Sequence, residues 1–330
     1  MKGPLEAQVH AQLAQGGFQS GAELARRLGV SRSAVWKAVV ALRERGLIVH
    51  AVRNRGYRLA APCEPLNAAK IRAGLHKGVR ERIRDIETVW SLESTNAALL
   101  ERSDLPPGLA DVLLAEHQTA GRGRRGRAWL ASPGGAICLS LAWCFQQMPR
   151  DLSALGLAVG VCALRALRRH VKEPIALKWP NDLTVGDRKL AGILIEMRAE
   201  SAGPAYVVIG IGVNVALGEA VLARIAETGT RATDLKSAGA DPVPRNALAA
   251  QLITEMVAGL TVFQSEGLRP FVVEWEAADG LRGRAVSVRA GERSARGIAR
   301  GIDIGGALIV ETPQGLQMFV SGDVSVRPEE

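Results

Sequence analysis

The first apolar periods in the chain are short and helical. Leu24 and Leu28 lie one turn apart behind Ser20-Gly-Ala-Glu23, a capping box in which each side chain can reach the other's backbone N–H. Gly29 ends that helix. Ser31 is placed to cap a third helix running to about Arg45, with Val35, Val39 and Leu42 at i, i+4 and i+7 as one buried stripe. Arg32, Ser33, Trp36 and Lys37 are then left on its outer N-terminal half. Apolar runs at 49–52 and 57–59 flank Arg53-Asn-Arg-Gly56, which predicts a short basic hairpin.

Helix, helix, helix and hairpin over 1–62 form a winged helix-turn-helix pattern. One helix suits the major groove and the wing, with Arg53 and Arg55, suits phosphates. The competing reading is a small basic helical domain that binds protein. Charge favours DNA: residues 1–62 hold ten Lys and Arg against three Asp and Glu, seven of the chain's net +9. A cationic excess concentrated in one segment suits a polyanion.

Residues 60–65, with two prolines, read as a linker. From 66 to 278 strand-like runs (112–116, 136–143, 175–179, 190–198, 206–215) alternate with helical ones (153–170, 246–263). From 279 onward only short β runs follow (285–288, 295–302, 307–311, 317–320), with Gly305-Gly306 as a turn, and a small β-barrel is their natural closure. The expected units are therefore 1–62, 63–278 and 279–330.

A composition of 47% hydrophobic and 23% charged residues excludes a disordered or fibrous chain. The N-terminus has no apolar signal-peptide core. The longest apolar run, 154–164, is shorter than the roughly 18 residues that span a bilayer. Cys63, Cys138, Cys144 and Cys162 form no Cys-x-x-Cys pair, so buried reduced thiols are expected. The expectation is a cytoplasmic protein with no membrane partner.

The candidate chemistry begins at Gly121-Arg-Gly-Arg-Arg-Gly-Arg127. Its glycine density predicts a loop, and its guanidinium groups suit phosphate or carboxylate, although the ending of a Walker A loop is missing. A second nucleic-acid patch is the alternative. Lys178-Trp-Pro-Asn-Asp182 and Arg188-Lys-Leu-Ala-Gly-Ile193 read as two strands about a tight turn, with Lys189 directed inward beside the arginine loop and without an evident partner; a solvated edge lysine is the bland alternative. Glu93-Ser-Thr-Asn96 precedes a helical run, where capping alone would explain Ser94 and Thr95. In Gly210-Ile-Gly-Val-Asn214, strand glycines imply close approach of a ligand or another backbone.

Taken in order with Gln118-Thr-Ala-Gly121, these five motifs resemble the catalytic core of biotin–protein ligases. With the winged helix, the resemblance to the bifunctional ligase/repressor type covers essentially the whole chain. It implies an α+β protein: an N-terminal winged helix-turn-helix, a central mixed-sheet ligase domain akin to class II synthetases, and a C-terminal SH3-like barrel. It implies that biotin and ATP, with Mg²⁺, form biotinyl-5′-adenylate, and that a lysine of the biotin carboxyl carrier protein of acetyl-CoA carboxylase then displaces AMP. Carried onto this sequence, Ser94, Thr95, Gln118, Gly121, Arg122, Arg124, Lys189, Gly192 and Gly210 would bind biotin. Arg124, Arg125, Arg127, Lys189 and Asn214 would hold the adenylate, Lys189 and Arg124 would serve catalysis, and Asp182 would orient the acceptor or loop. Arg32, Ser33, Trp36, Lys37, Arg53 and Arg55 would meet operator DNA, with ligand-induced pairing of two chains. No metal ligands are assigned. The segment Thr230-Arg-Ala-Thr-Asp-Leu235 lacks the tryptophan that the repressor type often stacks on adenine. A lipoyl-protein ligase, or a ligand-sensing transcription factor with an inactive core, are the other readings.

Overall fold

The computed structural model describes residues 3–61, 63–102, 104–149, 151–199, 204–241, 243–290, 293–320 and 324–328, the backbone alone at 199, 290, 293 and 324–328. Pro62, in the expected linker, lies outside the described residues.

Helices α1 (Leu5–Leu13), α2 (Gly21–Leu28) and α3 (Arg32–Glu44) precede an antiparallel hairpin, β1 (Val49–Val52) with β2 (Gly56–Leu59). Ser31 Oγ accepts from the Ala34 N–H at 3.1 Å, and Gly29 ends α2 in the left-handed region at φ 70°. The capping box closes on one side only. Ser20 Oγ accepts from the Glu23 N–H at 3.5 Å, but the Glu23 carboxylate turns to Arg26 and Arg27. Val9, Leu24, Val35, Val39, Leu42, Val49 and Leu59 share one core, so the predicted α3 stripe is the buried face.

The central elements are α4 (Ala68–Gly74), α5 (Lys77–Arg80), β3 (Ile83–Leu92), α6 (Thr95–Leu100), β4 (Ala110–Gln118), β5 (Ala136–Phe145), α7 (Leu155–Leu167), β6 (Ile175–Lys178), β7 (Asp182–Val185), β8 (Arg188–Ala199), β9 (Ala205–Asn214), α8 (Glu219–Glu227), α9 (Arg245–Glu266) and α10 (Val272–Ala277). Seven strands form one mixed sheet in the order β3-β4-β5-β9-β8-β7-β6, parallel only between β3 and β4. One face (Val112, Leu114, Leu139, Leu141, Ile209, Ile211) packs with α7 and α9. The other (Leu113, Ala142, Cys144, Val208) packs with Leu99 of α6. Covered on both faces, β5 is buried at every position, which is why it reads as a nearly unbroken apolar run. Helix α9 is long and apolar enough to cross a bilayer; here its Leu248, Leu252, Met256 and Phe263 are core residues.

Strands β10 (Ala285–Ala290), β11 (Arg293–Ile302), β12 (Leu308–Thr312), β13 (Gly315–Phe319) and β14 (Val324–Pro328) make an antiparallel sheet in the order β13-β12-β11-β10-β14. Among the described residues no pairing of β13 with β14 closes it into the expected barrel. Trp179 Nε1 donates to the Gly306 carbonyl at 3.0 Å, pinning this sheet to the turn between β6 and β7.

A buried ion pair secures the chain leaving the winged helix. Arg245 Nη1 lies 2.9 Å from Glu116 Oε2 and donates to the Glu64 carbonyl at 2.9 Å, while Nη2 donates to the Ala136 carbonyl at 2.8 Å. Glu116 Oε1 accepts from the Leu66 N–H at 2.6 Å. A pair this deep is costly to desolvate; the backbone partners engage Nη1, Nη2 and Glu116 Oε1, while Arg245 Nε has no hydrogen-bond partner among the described residues.

Candidate active site and DNA-binding face

Between α6, the ends of β4 and β5, the arginine loop and strands β8 and β9 lies a cavity of about 290 Å³. Its lining includes Ser94, Thr95, Asn96, Gln118, Arg122, Arg124, Arg127, Trp129, Lys189, Gly192, Gly210 and Asn214. Five motifs scattered over 120 residues of sequence thus meet around one space.

One end is neutral and densely hydrogen-bonded. Gln118 Oε1 accepts from the Thr95 N–H at 2.8 Å and lies 3.1 Å from Thr95 Oγ1. Ser140 Oγ lies 2.6 Å from Thr95 Oγ1 and 2.5 Å from Asn96 Oδ1. Ser94 Oγ caps α6 through the Ala97 N–H at 3.4 Å, so the capping reading and the cavity reading both hold. Asn96 and Ser140 were not among the site residues expected from sequence. Ser140 had a signal, a lone hydroxyl inside the apolar run of β5.

The other end is cationic. The loop folds as a tight 3-10 turn, Arg124–Gly126, closed by the Gly123 N–H donating to the Arg127 carbonyl at 2.7 Å. Arg125 adopts φ 58°, a conformation unusual for a side-chain-bearing residue, and is exposed away from the cavity that Arg122, Arg124 and Arg127 line. Gly121 also lies outside that lining, in a smaller cavity behind Trp129. A Cβ there would stand 2.8 Å from the Trp129 carbonyl, so its bareness serves the path of the chain.

Lys189 has a partner, contrary to the expectation. Its Nζ lies 2.6 Å from Asp182 Oδ1, the two side chains 23% and 22% exposed. The pairing follows from the β7–β8 register, which sets Asp182 opposite Gly192. A Cβ on Gly192 would meet Lys189 Cε and Nζ at 2.9 Å, so the glycine leaves the room in which the lysine folds back. Lys178, half-buried beside them, has its ammonium pKa drawn down by burial, with Asp182 opposing and Lys189 adding to the shift.

The cavity floor is built from glycine. Residues Cys138, Gly212 and Gly192 are neighbours across β5, β9 and β8, and Ser140, Gly210 and Leu194 form the next row. The Trp129 ring lies over Gly212, where a Cβ would be 2.3 Å away, and Asn96 lies over Gly210 at 2.4 Å. Trp129 also faces Lys189, whose Nζ is 5.8 Å from the ring centroid. Its role was not read from sequence. Burial pushes the Cys138 thiol up to about 11, so it stays protonated and is no nucleophile at neutral pH.

Beyond Lys189, the Arg231 carbonyl accepts from the Lys189 N–H at 2.7 Å and the Thr233 N–H donates to the Lys189 carbonyl at 2.9 Å. Ile225, Thr228, Thr230 and Ala232 line the cavity there, an aliphatic and hydroxyl wall. Asn214 is buried and gives its Nδ2 to the Thr233 carbonyl at 2.9 Å; no described residue donates to its Oδ1. Among the described residues no cluster of three or more His, Cys, Asp or Glu could hold a metal ion.

On the winged helix, Arg32, Ser33, Trp36 and Lys37 are all exposed on α3, the Trp36 side chain by 56%. Arg53 and Arg55 are exposed on the wing, and the Arg55 guanidinium stacks 4.3 Å from the Phe18 ring centroid.

Three family models match in order: an HTH domain over residues 6–58, the biotin/lipoate A/B protein ligase family over 91–214, and the biotin protein ligase C-terminal domain over 282–327. The bifunctional ligase/repressor BirA of Escherichia coli is 38% identical over 97% of this chain and 96% of its own. That of Bacillus subtilis is 30% identical over 94% of each. The biotin protein ligase of Aquifex aeolicus, solved in complex with biotin and ATP, is 26% identical, with a TM-score of 0.61 over 74% of this chain and all of its own. With ligase motifs gathered round one cavity and a winged helix at the N-terminus, the chain belongs to the BirA family of bifunctional biotin ligase/repressors.

Proposed function

We propose that the chain activates biotin with ATP and passes it to a lysine of a biotin carboxyl carrier protein. The observation that carries this reading is the polarity of one cavity: a hydrogen-bonding, uncharged end at Thr95, Asn96 and Gln118, and a cationic end at Lys189 and the arginine loop. A bicyclic urea with an acid tail fits that gradient. Its carboxylate is already a nucleophile, so the first step needs charge neutralisation and alignment rather than a base. A carboxylate oxygen attacks the α-phosphorus of ATP, supplied as its Mg²⁺ complex, and the bond to pyrophosphate breaks. An acceptor amine then attacks the acyl carbon, AMP leaves with the bonding pair, and the amine gives up a proton.

Ser94, Thr95 and Gln118 would hold the ureido ring. Arg122, Arg124, Gly192 and Gly210 would flank the tail, with Gly121 shaping the loop. Lys189 would bridge carboxylate and α-phosphate. Arg124, Arg125, Arg127 and Asn214 would hold the adenylate, Arg125 by a movement of the loop. Residues 1–62 would place α3 in an operator's major groove and Arg53 and Arg55 on phosphates, with 63–278 and 279–330 as the ligase units. Beyond Gly192, β8 has β9 on one side and no strand on the other among the described residues, an edge along which two liganded chains could pair. The free, largely buried cysteines suit a cytoplasmic setting.

The test is intact-mass analysis of an apo carrier domain incubated with the protein, MgATP and either biotin or lipoate. A gain of one biotinyl group from biotin alone is expected. A lipoyl gain favours the lipoate reading, and no gain with either acid leaves a ligand sensor.

A further inference from the structure

Glu196 lies outside the cavity and belongs to none of the motifs, yet it touches the neutral end from behind. It stands on β8 in the same strand-face row as Gly192 and Leu194, and its Oε2 accepts from Asn96 Nδ2 at 2.8 Å. The same nitrogen donates to the Leu194 carbonyl at 3.2 Å. A carboxylate and a carbonyl can only accept, so they fix which way the Asn96 amide faces. Oδ1 must turn to Ser140, 2.5 Å away, over the bare Cα of Gly210.

That orientation settles the protons. Ser140 has one, and its short contact to Asn96 Oδ1 uses it. With the Ser140 proton spent, the 2.6 Å hydroxyl–hydroxyl contact takes the Thr95 proton in preference to Gln118 Oε1, which lies farther off at 3.1 Å and keeps the Thr95 N–H. Thr95 Oγ1 is left with a lone pair for the cavity it lines, an acceptor matched to a ring N–H. We propose that Glu196 is a positioning residue for the ring end of the cavity: by orienting Asn96 it makes Thr95 an acceptor of the ureido N–H. This rests on the biotin reading above.

A purely structural role is the competing account, because β8 also clamps α6 through Arg198 Nη1 to the Leu100 carbonyl at 2.8 Å. Arg198→Ala removes that clamp and leaves the Asn96 orientation intact. Biotin-dependent ATP–pyrophosphate exchange is therefore measured for wild type, Glu196→Ala, Glu196→Gln and Arg198→Ala. Glu196→Ala is expected to raise the biotin KM about tenfold, the scale of one hydrogen bond. Its kcat and ATP KM should stay within about twofold on the same scale. Glu196→Gln, which keeps a carbonyl for Asn96, should recover most of the loss, and Arg198→Ala should leave the biotin KM unchanged. A wild-type biotin KM in Glu196→Ala overturns the proposal, as does an equal rise in the KM values of biotin and ATP, or an Arg198→Ala variant matching Glu196→Ala. No exchange by the wild-type protein would instead remove the biotin reading itself.

Discussion

The carboxylate of Asp182 sits 2.6 Å from the ammonium of Lys189 across the β7–β8 hairpin, so the lysine meets an anion before any substrate arrives. An incoming carboxylate or phosphate competes for that ammonium. On the proposed reading, Lys189 would turn to the substrate and leave Asp182 beside the reaction centre as a free carboxylate, able to take the proton of an arriving acceptor ammonium.

Asp182→Asn should accordingly separate the two half-reactions. Transfer from preformed adenylate to an apo carrier is expected to slow by about 10²-fold, the lower range of general-base effects. Pyrophosphate exchange should change only a few-fold by comparison. Single-turnover transfer beside exchange reads both; equal losses would mean that Asp182 serves only to place Lys189.

Gly212→Ala is expected to impair the site by crowding. The new Cβ would stand 2.3 Å from the Trp129 ring, which must move off the floor and away from Lys189. Overpacking of this kind costs about 1–3 kcal/mol, visible in denaturant unfolding, together with a raised biotin KM. A variant with unchanged stability and KM would show that Trp129 moves freely.

Much of this was legible in sequence because strand and helix periods are local. The α3 stripe, the runs of β4, β5, β8 and β9, and the loop at 121–127 follow from residues close in the chain. What was not legible depends on register. Asp182 reaches Lys189 only because β7 pairs with β8 as it does, and Trp129 is placed by the two glycines beneath it. Strand β3 escaped because charged residues interrupt it (Arg84, Asp85, Glu87), and most of its positions are only half-buried. The capping box failed on its second side because Arg26 and Arg27 offer Glu23 stronger partners than a backbone N–H.

The joint between winged helix and ligase should weaken in acid. His10 is buried against Trp90, ring centroids 5.2 Å apart, and burial pulls its pKa below the usual 6.5, with Glu116 opposing and Arg245 adding to the shift. Burial, with the Arg45 charge, lowers that of His117 as well. Below pH 6.5 the unfolded histidines bind protons that the native ones refuse, so stability falls as pH falls through that range. Melting temperatures from pH 7.5 to about 5 should decline, and His10→Phe, which keeps the ring, should decline less steeply. Parallel curves would contradict this.

On DNA, Arg53→Ala and Arg55→Ala should weaken binding alike on operator and unrelated duplex. Each should reduce the slope of log K against log salt by about 1, as expected for a phosphate contact. Loss confined to the operator would place these arginines on bases instead.

On the proposed mechanism, Lys189 and the arginine loop bring a carboxylate and a nucleotide phosphate together in one cavity. Biotin-dependent exchange of labelled pyrophosphate into ATP is therefore compared between wild type and Lys189→Ala. The wild type should exchange, and the variant should lose roughly 10²-fold or more. Exchange at near wild-type rates without the lysine would mean that this ammonium does not bring the two anions together.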